Sequence, residues 1–432
     1  MKIRNQPSLL KGESAAEERA RRAALGALAS AVAAVEPARL VKNKVKKTRG
    51  GLSIDGRQFK AKRVFVIGCG KASSAMAGAL AKITPVAGGV VAVPNGVKTP
   101  NAKSIKFIRG GHPIPNEGSV TAAKAVLSLV KNAEKGDLVV CVISGGGSAL
   151  LELPRAGLTL KQLQETTQAL LKSGASIREV NCVRKHLSRV KGGQLAAAIP
   201  CKSVTLVLSD VLGSPLDVIA SGPTVPDPTT FKQAKQNLVK RGLWNRKEIM
   251  PARKVIERGL SGKEKETPKR LSNAKTIILA DNDNAVDAAA AFLRAKGYAP
   301  KIFRRVEGEA REVGARFASL LNRGVCFVAG GETTVTVRGK GNGGRNQELV
   351  LSALLHLKRP AVIASMGTDG VDGFSRAAGA IASDSTPKTP KQSAARYLKN
   401  NDSNSFFRKA KGEIITGPTG TNVCDAAVGL TY

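Results

Sequence analysis

An α/β protein of two domains is predicted by three features of this 432-residue chain. Short, wholly apolar runs such as Leu138–Ile143 read as strands buried on both faces, as in a parallel sheet. These runs alternate with helical stretches. Most of them end in a cluster of glycines. The alternation indicates an open, mostly parallel sheet with helices on both faces, where ligands collect beyond the carboxyl ends of the strands. The pattern occurs in two blocks, with the polar connection Ser261–Arg270 between them, so domains are expected at 1–270 and 271–432.

The chain opens with an amphipathic helix expected over about Ser14–Val35. Arg21 and Arg22 ahead of an apolar run mimic an export signal, but Glu13, Glu17 and Glu18 stand just upstream and the run is alanine-rich. Residues 36–60 are basic and polar, with a turn at Gly50-Gly51. Strand Val64–Ile67 leads through Gly68-Cys69-Gly70-Lys71 into a helix over Ala72–Leu80. Strands follow at Val90–Val93 and Ile105–Ile108, and a helix at Thr121–Lys131 returns the chain to Leu138–Ile143. That strand breaks into Ser144-Gly145-Gly146-Gly147-Ser148. Three glycines let backbone approach a ligand closely, and their N–H groups at a possible helix start form a concavity for an anion.

Residues 158–175 read as helix, and Val183–Ala198 as a basic helix with a glycine pair. Strand Val204–Leu208 ends in Ser209-Asp210. Residues 213–228 form an ordered loop and 231–260 a helical stretch. The second block has strands at Thr276–Ala280, Val325–Ala329, Thr333–Val337, Val362–Ser365 and Glu413–Thr416. Its helices are expected at Ala285–Lys296 and Gln347–Leu357.

Hydrophobic residues make up 42% of the chain, enough for a sizeable core. Lys and Arg number 69 against 32 Asp and Glu, a formal charge of +37. The cations are dispersed and base-stacking aromatics are only 3%, so a general basic bias is preferred to nucleic-acid binding. Six cysteines lie far apart without a C-x-x-C, which removes support for a zinc site and fits reduced thiols in a cytoplasmic protein. No stretch is long and apolar enough for a transmembrane helix.

Gly68-Cys69-Gly70-Lys71 fails as a P-loop, because Phe65 and Ala72 stand where a glycine and a Ser or Thr are required. It fails as a dinucleotide fingerprint too. Ser73 replaces the third glycine, and no Asp or Glu occurs from Gly56 to Asn116 to hold a ribose hydroxyl. What remains is Lys71 at a strand–helix junction, either an exposed turn lysine or an ammonium for a phosphate or carboxylate. Arg345, in a glycine-rich loop at a helix start, has a fork suited to bidentate anion contact. Asp210 and Asp369 each follow an apolar strand and could hold a metal, accept a proton or cap a helix. Glu332, Asp281 and Asp283 belong to the same class. His112 and His186 lack spaced partners for a metal and are expected to be structural. Glycine turns, strand-end carboxylates and junction cations together suit phosphoryl transfer.

Nine segments then resemble one family: VFVIGCGKAS (64–73), GGHPIPNEGS (110–119), VISGGGSALLELP (142–154), VRKHLSRVKGG (183–193), LSDVLGSPLDVIASGPTVPD (208–227), GGETTVTVRGKGNGGRNQE (330–348), GTDGVDG (367–373), AAGA (377–380) and GPTGTNV (417–423). The chain resembles the glycerate 2-kinases with a MOFRL C-terminal domain, a family also named hydroxypyruvate reductase. The resemblance implies a Rossmann-like, mostly parallel N-terminal domain, a smaller α/β MOFRL domain and a site in the cleft between them. It implies phosphorylation of the 2-hydroxyl of D-glycerate by ATP with Mg²⁺, with Lys71 and Arg345 in the active site. On this reading Gly68, Gly70 and Ser144–Ser148 hold phosphates. Arg184, Asn346 and Asp369 contact substrate, and Asp210 or Asp369 supports the metal or accepts the hydroxyl proton, with Asp210 counted among the catalytic residues. Glycerate and ATP are the expected partners of a monomer or homodimer, and an NAD(P)-dependent reductase and a nucleic-acid-binding protein are the alternatives.

Overall fold

The computed structural model describes residues 1–386 and 391–432 and resolves two compact units. One is Pro37–Leu279. The other combines Met1–Glu36 with Ala280–Tyr432. This corrects the division at residue 270. The first helix is tied to the chain's C-terminal half, and the break falls after Leu279.

The unit Pro37–Leu279 begins with a helix, Pro37–Lys44, and a small antiparallel sheet of β1 (Val45–Thr48), β2 (Gly51–Ile54) and β3 (Arg57–Lys60). Its main sheet contains β4 (Val64–Cys69), β5 (Gly88–Pro94), β6 (Ile105–Gly110), β7 (Leu138–Ile143), β8 (Lys202–Leu208) and β9 (Ala274–Ala280), in spatial order β6-β5-β4-β7-β8-β9. The pairings from β6 through β8 are parallel. All six residues of β4 and of β7 are buried, which explains why both read as unbroken apolar runs. The chain runs outward from β4 through β5 to β6, then returns to place β7 on the other side of β4. Strand order reverses there, so the carboxyl ends of β4 and β7 flank the crevice where open α/β sheets take ligands.

Helices Ser73–Ile83 and Glu117–Val130 connect these strands. The second starts at a capping box in which Asn116 and Ser119 satisfy each other's backbone N–H groups. The core joins Ile67, Val90, Val126, Val139, Cys141 and Ile143. A helical layer of Leu160–Lys172, Ile177–Leu187, Phe231–Lys240 and Met250–Leu260 closes on its own apolar cluster. Two helical expectations are corrected. The basic helix stops at Leu187, where Ser188 adopts extended backbone (φ −109°, ψ 157°), and the chain then turns at Gly192 and Gly193. The stretch 231–260 breaks at Gly242, which has φ 65°.

In the other unit the N-terminal helix Ala15–Ala34 is fastened by a buried ion pair. Arg21 Nε donates to Glu17 Oε1 at 2.7 Å, and Ser383 Oγ donates to the same oxygen at 2.6 Å. The sheet contains β10 (Lys301–Val306), β11 (Phe327–Gly331), β12 (Ala361–Gly367), β13 (Gly379–Ser383), β14 (Glu413–Ile414) and β15 (Asp425–Thr431). Its order is β10-β11-β15-β12-β13-β14, with only β10–β11 parallel. Thr333–Val337 is not a strand. Thr334 forms an isolated bridge with Glu309. Helices Ala310–Asn322 and Arg345–His356 share a core with this sheet.

Ile67 is fully buried in β4. Ile67→Ala should cost about 2–5 kcal/mol by lost burial and cavity formation. A urea midpoint for this unit unchanged from the parent would contradict that packing.

Candidate active site

The loops after β4 and β7 are interlocked. Lys71 N donates to Gly145 O at 2.9 Å, and Ser144 N donates to Cys69 O at 3.1 Å. Ala72 N donates to Ser144 Oγ at 3.0 Å. Glycine is required at two points. Gly70 has φ 132°, and a Cβ there would lie 2.2 Å from Ser144 Oγ. Gly145 is covered by a carboxylate, since a Cβ on it would lie 1.8 Å from Asp210 Oδ2. At the next residue, a Cβ on Gly146 would stand 3.6 Å from Lys71 Cγ and 3.0 Å from His112 Nε2. Lys71, Asp210, the glycine loop and His112 therefore meet at one place.

Four other predicted residues serve the scaffold. Gly68 lies inside β4, where a Cβ would meet Val142 O at 2.1 Å, so its role is to let β7 approach. Ser144 is buried and its hydroxyl locks the two loops. Ser148 turns inward, with its Oγ 2.9 Å from Ser221 Oγ. Gly147 faces Cys69 Sγ and Ala220.

Arg184, expected at the substrate, supports the glycine loop. Its Nη2 donates to Ser148 O at 2.9 Å, and burial lowers its pKa. Lys191, which the sequence reading did not single out, donates to the same oxygen at 2.6 Å and to Leu151 O at 3.1 Å. Glu152 lies 3.2 Å from this buried ammonium. Two cations thus hold the carbonyl end of the short helix Gly147–Leu150.

A second polar cluster surrounds Arg345, the first residue of the helix Arg345–His356. Its fork was expected to be available for an anion. Instead, Nε donates to Asp425 Oδ2 at 2.6 Å and Nη2 to Asp425 Oδ1 at 3.0 Å. Nη1 lies 2.7 Å from Glu332 Oε1. Burial works against the guanidinium charge, but Asp425 and then Glu332 outweigh it and raise the Arg345 pKa. Asp425, missed from sequence, opens the central strand β15. Burial pushes its carboxyl up to about 6 against the pull of Arg345.

Asn346, expected at the substrate, is buried with its side-chain amide paired inside the unit. Its Nδ2 donates to Asp372 Oδ1 at 3.2 Å, and its Oδ1 accepts from Ser365 Oγ at 2.6 Å. Asp372 also accepts from the backbone N–H groups of Asn346 and Gln347, which fixes the start of the helix carrying Arg345. Asp369 holds its own turn by accepting from Val371 N at 3.0 Å. A Cβ on Gly367 would be 3.2 Å from Asp369 Oδ1 and 3.5 Å from Asp425 Oδ1, so both carboxylates border one point.

Among the described residues no group of three or more His, Cys, Asp or Glu side chains is arranged to hold a metal. Their cysteines are free thiols. No single helix there is long and apolar enough to cross a membrane.

A family model described as a domain of unknown function, DUF4147, matches residues 23–255, and the MOFRL family matches 325–425. A glycerate 2-kinase of Pyrococcus horikoshii is 42% identical over 418 residues, covering 93% of this chain and 94% of that protein. The chain belongs to the DUF4147–MOFRL family. A second member, a D-glycerate 2-kinase of Thermotoga maritima, is 40% identical over 432 residues, or 96% of this chain and 99% of its own length. The crystal structure of a Thermotoga maritima glycerate kinase superposes with a TM-score of 0.84 at 38% identity, covering 95% of this chain and 99% of that one. The DUF4147 segment contains Lys71, the glycine loop and Asp210, and the MOFRL segment contains Arg345 and Asp425.

Asp425 has a folded pKa of about 6 against an ordinary 3.8, so between those values the folded state binds more protons than the unfolded state. Its contribution to stability is complete below about pH 4 and declines as pH rises through about 6. The urea-derived stability of the parent relative to Asp425→Asn should fall across that window. A constant difference would contradict the shift.

Proposed function

We propose that the protein transfers the γ-phosphoryl group of ATP to the 2-hydroxyl of D-glycerate, giving 2-phosphoglycerate and ADP. One observation carries this reading: Lys71 and Asp210 converge on a glycine loop at the strand-order reversal of a parallel sheet. The kinase names of its relatives supply the substrate. Phosphoryl transfer asks the protein mainly for positioning and for charge opposite the phosphate oxygens. The Lys71 ammonium supplies that charge beside the Gly145–Gly146 backbone, which carries no side chains of its own between Asp210 and His112.

Mg²⁺ fits Asp210. This ion keeps waters and phosphate oxygens as most of its ligands and needs only one or two carboxylates, so a three-residue protein cluster is unnecessary. Held there, it would neutralise charge on the phosphoryl oxygens. Arg345 takes the glycerate carboxylate by exchanging its half-exposed partner Glu332, while Asp425 keeps the fork oriented. The reductase alternative loses support at the carboxyl end of β5. No acid stands there, or anywhere from Gly56 to Asn116, for a nicotinamide cofactor's ribose.

The direct test is a coupled assay with D-glycerate, ATP and Mg²⁺, with NMR identifying the phosphorylated hydroxyl. Formation of 2-phosphoglycerate is expected, and no turnover of glycerate would overturn the reading. Lys71→Ala and Arg345→Ala should each lower kcat/KM on the order of 100-fold or more. Near-parental kinetics in either variant removes that residue from the mechanism. Gly145→Ala, whose Cβ would displace the Asp210 carboxylate, should abolish most activity with the fold retained by circular dichroism.

A further inference from the structure

The geometry points to His112 as the general base that accepts the proton of the glycerate hydroxyl. This deepens the kinase reading and rests on it. The sequence contains three histidines. His186 is held at both nitrogens, with Nδ1 2.7 Å from Cys182 O and Nε2 2.8 Å from Glu266 Oε1. His356 has its Nδ1 2.7 Å from Ser352 O. His112 makes no hydrogen bond among the described residues. It follows strand β6 in the loop Gly111–Pro115, and the residue is solvent-accessible. Its Cδ2–Nε2 edge lies over the glycine loop, with those atoms 2.8 Å and 3.0 Å from where a Cβ on Gly146 would stand. A side chain at that residue would close the space. Gly146, at φ 82°, leaves it open.

The charged groups facing this place are Lys71 from the β4 loop, beside the same glycine, and Asp210 from the β8 end, against Gly145. Partial burial and then Lys71 lower the His112 pKa, so the ring is neutral at pH 7 and has a lone pair to offer. An imidazole is also better matched to neutral pH as a base than a carboxylate is.

In the step assigned here, Nε2 takes the proton of the 2-hydroxyl while that oxygen bonds to the γ-phosphorus. The bond from the γ-phosphorus to the bridging oxygen breaks, and ADP leaves with its electron pair. The imidazolium then returns the proton to solvent.

The test uses the full-length chain with His112→Gly, and His112→Asn as a second variant. Both should lose about 100-fold or more in kcat with little change in the KM for ATP. Imidazole in the medium should restore a large part of the His112→Gly rate, since the position is open to solvent. Across substituted imidazoles the restored rate should vary with the pKa of the added base, a dependence that a structural residue would not produce. A kcat within about threefold of the parent overturns the assignment. So does a loss that imidazole leaves unchanged while ATP binding and the melting temperature stay parental. An inactive parent instead brings down the kinase reading itself, so the two failures are distinct.

Discussion

The site depends on the interlock of two glycine loops at neighbouring strand ends. Lys71 N to Gly145 O and Ser144 N to Cys69 O join the loops backbone to backbone, and Ser144 Oγ takes the next amide. Because β4 and β7 pair in register along their whole length, each loop emerges at the same level of the sheet. Side chains at Gly70 or Gly145 would separate these segments or displace Asp210. The glycines thus permit a close approach whose product is a fixed position for Lys71 beside bare backbone.

Behind that approach lies a buried charge layer. Lys191 and Arg184 both donate to Ser148 O, and Glu152 balances Lys191 while accepting from Ser188 Oγ at 2.6 Å. Removing one partner from such a network leaves an uncompensated charge, so these groups restrain the loop more than they add net stability. The other unit orients its arginine in a comparable way. Asp372 fixes the helix start, and Asp425 takes the fork at two nitrogens. Arg345 is therefore held in place by its own carboxylates, with Glu332 on the more exposed side.

The parallel sheet could be read from sequence because strands buried on both faces have no polar alternation to obscure them. Leu138–Ile143 is the clearest case, and its structural bounds are the same. The mixed sheet was harder. β10 reads KIFRRV, a largely exposed edge strand whose arginines hide its pattern, and β13 reads GAIAS, too small in side chain to stand out. Asp425 is hard to read because the run DAAVGLT is built mostly of small side chains and follows a glycine-rich stretch. Its position directly before an apolar run was the available signal. His112 has no spaced metal partners along the chain, and that spacing carries no information about its neighbours in space. Its meeting with Gly146 joins segments about 34 positions apart, and no local pattern encodes that. Arg184 and Asn346 show a different limit: the motifs mark them as polar site residues, but their hydrogen bonds to Ser148 O and to Asp372 and Ser365 are set by the fold and have no local signature.

The phosphate-binding role of the glycine loop is tested most directly by hydrogen exchange on the intact protein, with and without saturating ADP and Mg²⁺. Amides of residues 144–151 should exchange about tenfold or more slowly in the complex, since a bound anion would cover the loop and hold its internal hydrogen bonds closed. Binding confirmed by calorimetry with no slowing in that segment, and protection appearing elsewhere, would contradict it.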